Sequence, residues 1–391
     1  MTALLREGYA FRKRRWLLLI KAVDFFVALF VFCAGKKNTP APGKPRKILI
    51  SQLAHLGDVV LALALIEPLK RRYPDAEIHF LCGSWAEPLL KGNPHIKSVI
   101  AHDSFFLQRD GNAWQKFSKA ICGFRAAAKR LREEKIDLAL DCRIYFPNSL
   151  PLLYAGQCRC ICAYPTAGYG ALADIKPDFV EDAHEAQRSL NLLAALGAKR
   201  EEPAEPDLSY LVERGDAKFL ADAGLAGKKY IVLQPGSASK ARMFPAEYWA
   251  GIIGVLANSG QRIVITGAGS EVAAVKEIIE LLPVGNRESV NNLCGQTGLN
   301  ELALLFKNAA LVLGVNSFAC HLAGTLGCRT VVVFSGIVDE RHWRPLGNVR
   351  VIKAAVPCSP CYRKNGCESM ECVKAITPDE ITAAAIMLLR D

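Results

Sequence analysis

Short apolar runs alternate with segments of helical spacing along most of the chain. Lys47–Leu53 and Glu77–Cys82 have the length and apolar content of buried strands, and Asp58–Tyr73 between them repeats apolar residues at helical spacing. This β-α-β order predicts parallel sheets with helices packed on both faces. The other predicted strands are Ser98–Ala101, Ile136–Asp141, Gln157–Ala163, Tyr230–Gln234, Arg262–Thr266, Ala310–Val315 and Thr330–Phe334. The other predicted helices are Gly123–Lys135, Ala246–Asn258, Glu271–Leu282, Asn300–Lys307 and His321–Leu326.

The alternation occurs twice, with a break near residue 206. Between Glu201 and Asp207 the sequence becomes acidic and proline-rich (EEPAEPD), which is typical of a linker between domains. A chain of 391 residues also exceeds the length of most single domains. We therefore predict two Rossmann-like α/β domains with parallel sheets, residues 46–206 and 207–391, that face one another across a cleft. Ligands are expected at the carboxyl ends of the strands.

The positive charge of the chain is concentrated at its N-terminus. The net charge is +11, and residues 1–50 hold eleven Lys and Arg against two acidic residues. The rest of the chain is therefore close to neutral. This distribution argues against a nucleic-acid binder, whose folded domains would themselves be basic.

An apolar stretch at residues 16–34 is flanked by basic residues on both sides. It is too long for the apolar part of a signal peptide, and no small-residue cleavage site follows it. It is nearly long enough to span a bilayer, although Lys21 and Asp24 interrupt it. We interpret residues 1–45 as a linker and a membrane-associated helix, an amphipathic or re-entrant anchor on an anionic membrane surface, with the domains on the cytoplasmic side. The alternative is a helix that packs on its own protein.

The first candidate site is the loop after the first predicted strand (LAHLGDV, residues 53–59). Gly57 permits a tight turn, and Asp58 stands at the start of an apolar helix. Asp is a favoured N-cap because its carboxylate accepts backbone N–H bonds, and this capping role is the simpler interpretation. The functional interpretation makes Asp58 a general base at the edge of the cleft.

Residues 233–245 (LQPGSASKARMFP) directly follow another predicted strand. Gly236 and Ser237 offer backbone and hydroxyl donors, and Lys240 and Arg242 add positive charge before a predicted helix. Hydrogen-bond donors and cations next to a helix N-terminus are typical of a phosphate site. The alternative is a solvated loop whose charges have no ligand.

Two more loops after predicted strands carry polar residues. In GVNSFACHLAGTLG (residues 314–327), Asn316, Ser317 and His321 lie near the start of a short helix, where a diphosphate would meet backbone N–H groups. The glycine turn TGAGSE ends in Glu271, an acid suited to ribose hydroxyls. Neither a lone His321 nor a glycine turn is specific for a function.

Together and in this order, these motifs resemble glycosyltransferase family 9, the ADP-heptose:lipopolysaccharide heptosyltransferases. The similar segments are LGDVVLALAL, PGSASKARMFPAEYW, TGAGSE and LCGQTGLNELALLFKNAALVLGVNSFACHLAGTLG, followed by a cysteine-rich tail. The likeness covers residues 46–380, and the long segment that ends in His321–Gly327 is the most specific part.

The resemblance implies a GT-B fold, with the acceptor on the N-terminal domain and the nucleotide-sugar donor on the C-terminal one. It implies an inverting, metal-independent glycosyltransferase that requires no cofactor. The expected reaction moves heptose from ADP-heptose onto a lipopolysaccharide core or a similar lipid-linked saccharide. Such an enzyme would be cytoplasmic and peripheral on the inner face of the bacterial inner membrane.

The resemblance also implies roles for individual residues. Asp58 corresponds to the acidic residue proposed as the base that takes the proton of the acceptor hydroxyl, and Arg242 to a basic residue on the donor phosphates. Ser237 lies in the hydroxyl-bearing stretch before Arg242, and Glu271 corresponds to the acid that binds the ribose. The loop and the helix at the diphosphate correspond to Ser317 and His321.

The chain departs from the family at two neighbouring positions. Asn316 stands where the family usually has Asp, and Phe318 where it has Gly. Loss of a carboxylate beside a diphosphate removes repulsion, together with any charge that bound a donor hydroxyl or a cation. Two alternatives therefore stay open: a glycosyltransferase of the same fold with another nucleotide-sugar donor, and a catalytically silent protein that binds a sugar nucleotide.

Two groups among the fourteen cysteines support predictions. Cys358, Cys361, Cys367 and Cys372 lie in the tail at residues 357–373, at a spacing that suits a structural Zn²⁺ or an iron–sulfur cluster outside the active site. A structural role without a metal is the alternative. The cysteines predicted to be buried thiols in apolar surroundings are Cys82, Cys122, Cys142, Cys294, Cys320 and Cys328.

Overall fold

The computed structural model describes residues 8–11, 13–108, 111–363 and 365–390. These residues form two compact units, residues 8–206 and 207–390. Each unit contains one parallel β-sheet flanked by helices. The prediction of two Rossmann-like α/β domains with parallel sheets is confirmed.

The sheet of the first unit consists of β1 (Lys47–Gln52), β2 (Glu77–Cys82), β3 (Ile96–Ala101), β4 (Leu138–Asp141) and β5 (Cys160–Ala163). The strand order is β3-β2-β1-β4-β5, and all pairings are parallel. After β1 the chain adds β2 and β3 on one side of this strand, and β4 and β5 are then added on its other side. The loops after β1 and β4 separate at this switch point, which is where doubly wound sheets bind ligands.

The helices of the first unit are α1 (Arg14–Cys33), α2 (Leu56–Ala62), α3 (Ile66–Arg72), α4 (Glu87–Leu90), α5 (Ala113–Glu134), α6 (Leu150–Ala155) and α7 (Glu185–Ala195). On one face of the sheet, Leu49 and Ala139 share an apolar cluster with residues of α5 and α6, and Val27 and Val31 of α1 pack against the same cluster. Helices α1, α5 and α6 therefore belong to one layer. Helices α2 and α7 pack against one another.

Helix α1 packs on the first unit along one stripe. Leu17 and Ile20 are buried, and a Cβ at Gly168 would lie 2.5 Å from the Ile20 side chain. The carboxylate of Asp24 accepts hydrogen bonds from the hydroxyl of Tyr9 (2.7 Å) and from the backbone N–H of Tyr169. The alternative prediction, a helix packed on its own protein, holds for this stripe, whereas most of the other apolar side chains of α1 are exposed.

The sheet of the second unit consists of β6 (Ile231–Gln234), β7 (Ile263–Ile265), β8 (Val290–Asn292), β9 (Leu311–Val315), β10 (Thr330–Phe334) and β11 (Val349–Lys353). It is parallel with the order β11-β10-β9-β6-β7-β8, so its switch point lies between β6 and β9. The helices are α8 (Ser209–Glu213), α9 (Ala217–Asp222), α10 (Ala246–Asn258), α11 (Val272–Glu280), α12 (Val284–Arg287), α13 (Leu299–Asn308), α14 (Phe318–Thr325), α15 (Glu340–Trp343), α16 (Glu371–Lys374) and α17 (Pro378–Arg390).

Three predictions about local structure need correction. The predicted helix Asp58–Tyr73 is divided into α2, a 3₁₀ turn and α3, because Pro68 in the first turn of α3 has no N–H to continue the hydrogen-bond ladder. The predicted helix Gly123–Lys135 begins earlier, at Ala113, where the side chain of Asn112 caps it. Cys122 was predicted to be buried but is exposed, because it lies on the side of α5 away from the core.

Candidate active site

In the first unit, Asp58 lies at the carboxyl edge of the sheet, on the helix that follows β1. Helix α2 begins at Leu56 with His55 as its N-cap, so Asp58 is the third residue of the helix and not the N-cap itself. The carboxylate accepts a hydrogen bond from the backbone N–H of His55 at 3.2 Å. The residue is only partly buried. The same carboxylate therefore supports the start of the helix and stays accessible to a ligand.

Arg143 lies at the same edge, two residues after β4, which pairs with β1. Its guanidinium donates to the backbone oxygen of Pro147 at 2.6 Å, and its backbone N–H donates to the carboxylate of Asp141 at 3.3 Å. Burial lowers the pKa of Arg143, while the negative charges of Asp58, Asp141 and Glu185 raise it. A cation therefore stands among carboxylates at the switch point of the first sheet.

Glu185 is a second carboxylate near Asp58. It is the first residue of α7, it is buried, and it accepts a hydrogen bond from the Arg188 guanidinium at 2.5 Å. Burial raises the pKa of Glu185 to about 7; Arg188 acts in the opposite direction, and the charge of Asp58 adds to the rise. Neither Arg143 nor Glu185 was predicted from the sequence. The available signals were a charged residue directly after a strand (DCR) and another at the start of an amphipathic segment (HEAQRSL).

In the second unit, Glu271 stands over Gly236. Glu271 ends the 3₁₀ turn Gly269–Glu271 after β7, and a Cβ on Gly236 would overlap with its carboxylate. One oxygen of this carboxylate accepts the backbone N–H of Ala268 at 2.8 Å and the side-chain amide of Gln234 at 3.4 Å. The loops after β6 and β7 therefore meet at this carboxylate, and glycine at position 236 leaves room for it.

Arg242 connects the loops after β6 and β9. Its guanidinium donates to the backbone oxygen of Asn316, which is buried, at 3.4 Å. In the loop after β6, which also holds Arg242, the hydroxyl of Ser237 accepts the backbone N–H of Ser239 at 3.3 Å. Strands β6 and β9 are neighbours at the switch point. A guanidinium group is thus held where doubly wound sheets bind their ligands.

The N-terminus of α14 lies at this switch point as well. Ser317 precedes the helix, and its buried hydroxyl has no hydrogen-bond partner among the residues that the structure describes. Phe318 is the first residue of the helix, and His321, one turn later, is buried. Backbone N–H groups in the first turn of a helix attract anions. The buried hydroxyl therefore fits an oxygen of an anionic ligand.

The predicted donor residues lie in the loops and in the helix start that follow three adjacent strands of the second sheet, β7, β6 and β9. They are Gly236, Ser237, Arg242, Glu271, Asn316, Ser317 and His321. Lys240 belongs to the same loop as Arg242, as the first residue of a 3₁₀ turn, and is exposed. Asp58 belongs to the first unit.

The four cysteines of the tail lie close enough together to interact. Cys358, Cys361 and Cys367 all raise the pKa of Cys372, after the larger effect of burial. Cys372 is buried and Cys358 is exposed. The backbone N–H of Cys361 donates to the oxygen of Gly336 at 3.1 Å. Within the described part of the chain, no group of three or more His, Cys, Asp or Glu side chains is arranged to hold a metal ion.

The second unit therefore holds a guanidinium and a helix N-terminus at its switch point, and the first unit holds a carboxylate beside a cation at its own. Two α/β units with parallel sheets define the fold class of the GT-B glycosyltransferases. The sequence profile of glycosyltransferase family 9 (heptosyltransferase) matches residues 124–372. The chain belongs to this family and is a glycosyltransferase. The predicted family is confirmed.

Individual relatives agree with this assignment. Lipopolysaccharide heptosyltransferase 3 of Escherichia coli is 25% identical over 306 residues, which cover 75% of this chain and 84% of the relative. The solved structure of E. coli ADP-heptose LPS heptosyltransferase II has a TM-score of 0.66 at 19% identity and covers 88% of this chain and 98% of its own. A family 9 glycosyltransferase from Veillonella parvula has a TM-score of 0.72 at 18% identity, covering 89% and 98%. The predicted fold class is confirmed.

Proposed function

We propose that the protein transfers heptose from ADP-heptose to the core saccharide of lipopolysaccharide or to a similar lipid-linked saccharide. The observation that carries this proposal is the convergence of Arg242, Glu271 and the N-terminus of α14 at the switch point of the second sheet. A guanidinium and helix N–H groups suit a diphosphate, and a carboxylate on an adjacent loop suits ribose hydroxyls. Family membership supports the choice of heptose.

The proposed reaction is a single displacement with inversion at the anomeric carbon. Asp58 takes the proton of the acceptor hydroxyl while its oxygen attacks the anomeric carbon, and the bond from that carbon to the diphosphate oxygen breaks. General-base assistance of this kind is typically worth about 10²–10⁴-fold. Arg242 and the N–H groups of α14 stabilise the negative charge that grows on the departing ADP. This mechanism requires the two units to present Asp58 and the donor site to one cleft.

The proposed transfer uses no metal ion, because the cation that neutralises the leaving group is Arg242. We assign the four tail cysteines a structural role outside this chemistry. A bound Zn²⁺ or iron–sulfur cluster is the alternative for Cys358, Cys361, Cys367 and Cys372. Metal analysis and an absorption spectrum of the purified protein distinguish the two: one equivalent of zinc or of a cluster would establish the alternative.

A different nucleotide-sugar donor is the second candidate, and Asn316 and Phe318 favour it. Both residues lie at the α14 end of the site, where an uncharged amide and an aromatic ring alter the contacts available to the donor. The nucleotide is tested by thermal shift with ADP-heptose and with UDP- and GDP-sugars. A ligand at a hundred times its Kd stabilises the native state by about 2.7 kcal/mol. We expect that, of these ligands, only ADP-heptose raises the melting temperature. A rise with a UDP- or GDP-sugar but not with ADP-heptose would show that the donor is that other nucleotide sugar.

We further propose that the enzyme acts on the cytoplasmic face of the inner membrane, with α1 lying on an anionic lipid surface. By length and composition α1 is long and apolar enough to cross a membrane. However, Leu17, Ile20 and Asp24 hold one stripe of the helix against the first unit. Exposed Phe25, Phe26 and Phe32 on the remaining surface then suit a helix that lies in the membrane interface.

A further inference from the structure

We propose that the first three turns of α5, together with Phe106, form a second membrane contact, and that the same anionic bilayer surface covers this patch and α1. The overhang patch is defined as Phe106, Trp114, Phe117 and Ile121. The inference builds on the proposed position of α1 at the membrane, and it does not depend on which sugar is transferred.

Three residues of the overhang patch, Trp114, Phe117 and Ile121, continue the apolar stripe of α5 beyond the core. Toward its C-terminal end, the stripe buries Ala127, Ala128 and Leu131 against the sheet. Trp114 and Phe117 lie on the same side of the helix toward its N-terminus, yet they are 75% and 49% exposed. Their rings contact each other with centroids 6.1 Å apart. Neighbouring apolar side chains that are exposed in this way are typical of a surface that binds a protein or a membrane.

The overhang is held in a fixed position. The buried carboxylate of Asp103, in the loop after β3, forms an ion pair with Lys119 of α5 at 2.6 Å and accepts the backbone N–H of Ser84 at 2.8 Å. The side-chain amide of Gln108 donates to the backbone oxygen of Lys116 at 3.2 Å. These contacts anchor the N-terminal half of α5 to the loops at the carboxyl edge of the first sheet. Asp58 lies at the same edge, so the patch stands on the acceptor side of the proposed reaction.

Aromatic rings connect the overhang patch with the segment that leads into α1. Phe106 is 61% exposed and contacts Phe146 with ring centroids 5.0 Å apart. Phe146 in turn contacts Phe11 at 5.9 Å, just before α1. Since α1, α5 and α6 also belong to one helical layer, the two apolar surfaces lie on the same side of the first unit.

The charge on α5 identifies the covering partner as an anionic lipid surface. From Ala113 to Arg132 the helix has no acidic residue, and its basic residues are Lys116, Lys119, Arg125, Lys129, Arg130 and Arg132. Lys119 is paired with Asp103 and Lys129 with Glu133, and the charge of this part of the helix stays positive. Basic residues next to Trp and Phe on an amphipathic helix are the pattern of interfacial membrane binding. Lys13, Arg14 and Arg15 bring the same charge to the start of α1.

The test is flotation of the full-length protein with vesicles of phosphatidylglycerol and phosphatidylethanolamine, compared with vesicles of phosphatidylcholine alone. The variants are Trp114→Ser/Phe117→Ser for the overhang patch, Phe25→Ser/Phe26→Ser for α1, and Val284→Ser as a control. Val284 is 78% exposed in the second unit. All replaced side chains are largely exposed, so unchanged melting temperatures are expected and confirm folding.

We expect the Trp114→Ser/Phe117→Ser variant to bind anionic vesicles about tenfold more weakly, since each large apolar side chain contributes to interfacial binding in proportion to its buried area. Val284→Ser should bind like the wild type. Transfer to a water-soluble acceptor should stay unchanged. Quenching of tryptophan fluorescence by brominated lipids should fall in Trp114→Phe.

Each of the following outcomes would overturn the inference. Wild-type vesicle binding by Trp114→Ser/Phe117→Ser would show that lipid does not cover the patch. A change in oligomeric state with unchanged vesicle binding would assign it to a second copy of the chain. An equal loss of transfer to a soluble acceptor would assign it to the reaction itself. If only Phe25→Ser/Phe26→Ser weakens binding, the position of α1 stands and the overhang contact fails.

Discussion

Position 236 requires glycine because a neighbouring side chain occupies the place of its Cβ, and not because its backbone conformation excludes other residues. The space above its Cα is occupied by the carboxylate of Glu271, which Ala268 and Gln234 hold in place. A side chain at position 236 would displace that carboxylate. Glu271, the residue proposed to bind the ribose, can therefore occupy its position only because Gly236, in the loop after the neighbouring strand β6, has no side chain.

Gly236→Ala is expected to weaken ADP binding about tenfold or more, because the new methyl group overlaps with the Glu271 carboxylate. The measurement is the Kd for ADP by calorimetry. Gly269→Ala is the matched control, since a Cβ at Gly269 meets no atom within 4 Å in the same turn. Equal Kd values for Gly236→Ala and the wild type would contradict the placement of the ribose.

Arg143→Ala is expected to lower transfer about a hundredfold, because the carboxylates of Asp58, Asp141 and Glu185 lose the cation that stands among them. Donor binding should not change, because Arg143 belongs to the first unit. The measurements are kcat for transfer and the thermal shift with ADP, with exposed Arg159→Ala as the control. A parallel loss of the ADP-induced shift would place Arg143 in the donor site instead.

Asp141 predicts a pH dependence of stability. Burial raises its pKa to about 6 from 3.8, against opposing hydrogen bonds from Ser149 and Arg143. The folded state therefore keeps this proton while the unfolded state releases it, so stability falls as the pH rises from about 4 to about 6, by up to about 3 kcal/mol. Asp141→Asn removes this titration. Melting temperatures of the two proteins should diverge over this interval, with the wild type losing more; parallel curves would show that Asp141 does not titrate there.

At the scale of elements, α1 is attached to the first unit through a close approach at Gly168. This residue has a φ of +87°, and a Cβ would meet Ile20. Asp24 adds a hydrogen bond to the next residue, Tyr169. The ion pair of Lys36 with the buried carboxylate of Asp174, at 2.6 Å, holds the chain just after the helix. Three contacts of different kinds therefore fix the helix along its length.

Gly168→Ala is expected to destabilise the protein by about 1–3 kcal/mol, since it combines an unfavourable φ with a clash against Ile20. The melting temperature measures this loss. Gly43→Ala is the control because a Cβ there meets no atom within 4 Å. An unchanged melting temperature in Gly168→Ala would mean that α1 does not pack on Gly168 in solution.

The periodic pattern predicted the strands well and the helices less evenly. β2 and β10 have their predicted bounds: β10 is a run of Val and Phe buried on both faces, and β2 is buried from Ile78 to Cys82 although Glu77 and His79 are polar. The prediction for α5 covered only its C-terminal half, since Trp114, Phe117 and Ile121 are separated by polar and basic residues and have no core beneath them. Helix α7 was not predicted. Its buried positions include Glu185 and Arg188, which pair with each other, so burial there does not follow hydrophobicity.

At the scale of the whole molecule, each unit has one parallel sheet with one switch point, and the proposed site residues lie at these two points. The loops after strands could be recognised in the sequence because strand-ending glycines and polar residues stand out against apolar runs. Contacts that join separate loops, such as Arg242 with Asn316 or Glu271 over Gly236, depend on strand order. Strand order is not written in any local pattern, which is why Arg143 and Glu185 were found only in the structure.

The most direct test is a transfer assay with ADP-heptose and a heptose-acceptor saccharide, in which ADP release and the glycan product are both measured. We predict that the wild type forms product and ADP in equal amounts. Asp58→Ala should lose about 10²–10⁴-fold in rate, while its thermal shift with ADP stays unchanged. Transfer by Asp58→Ala at the wild-type rate, or ADP binding by the wild type without any transfer, would contradict the proposed reaction.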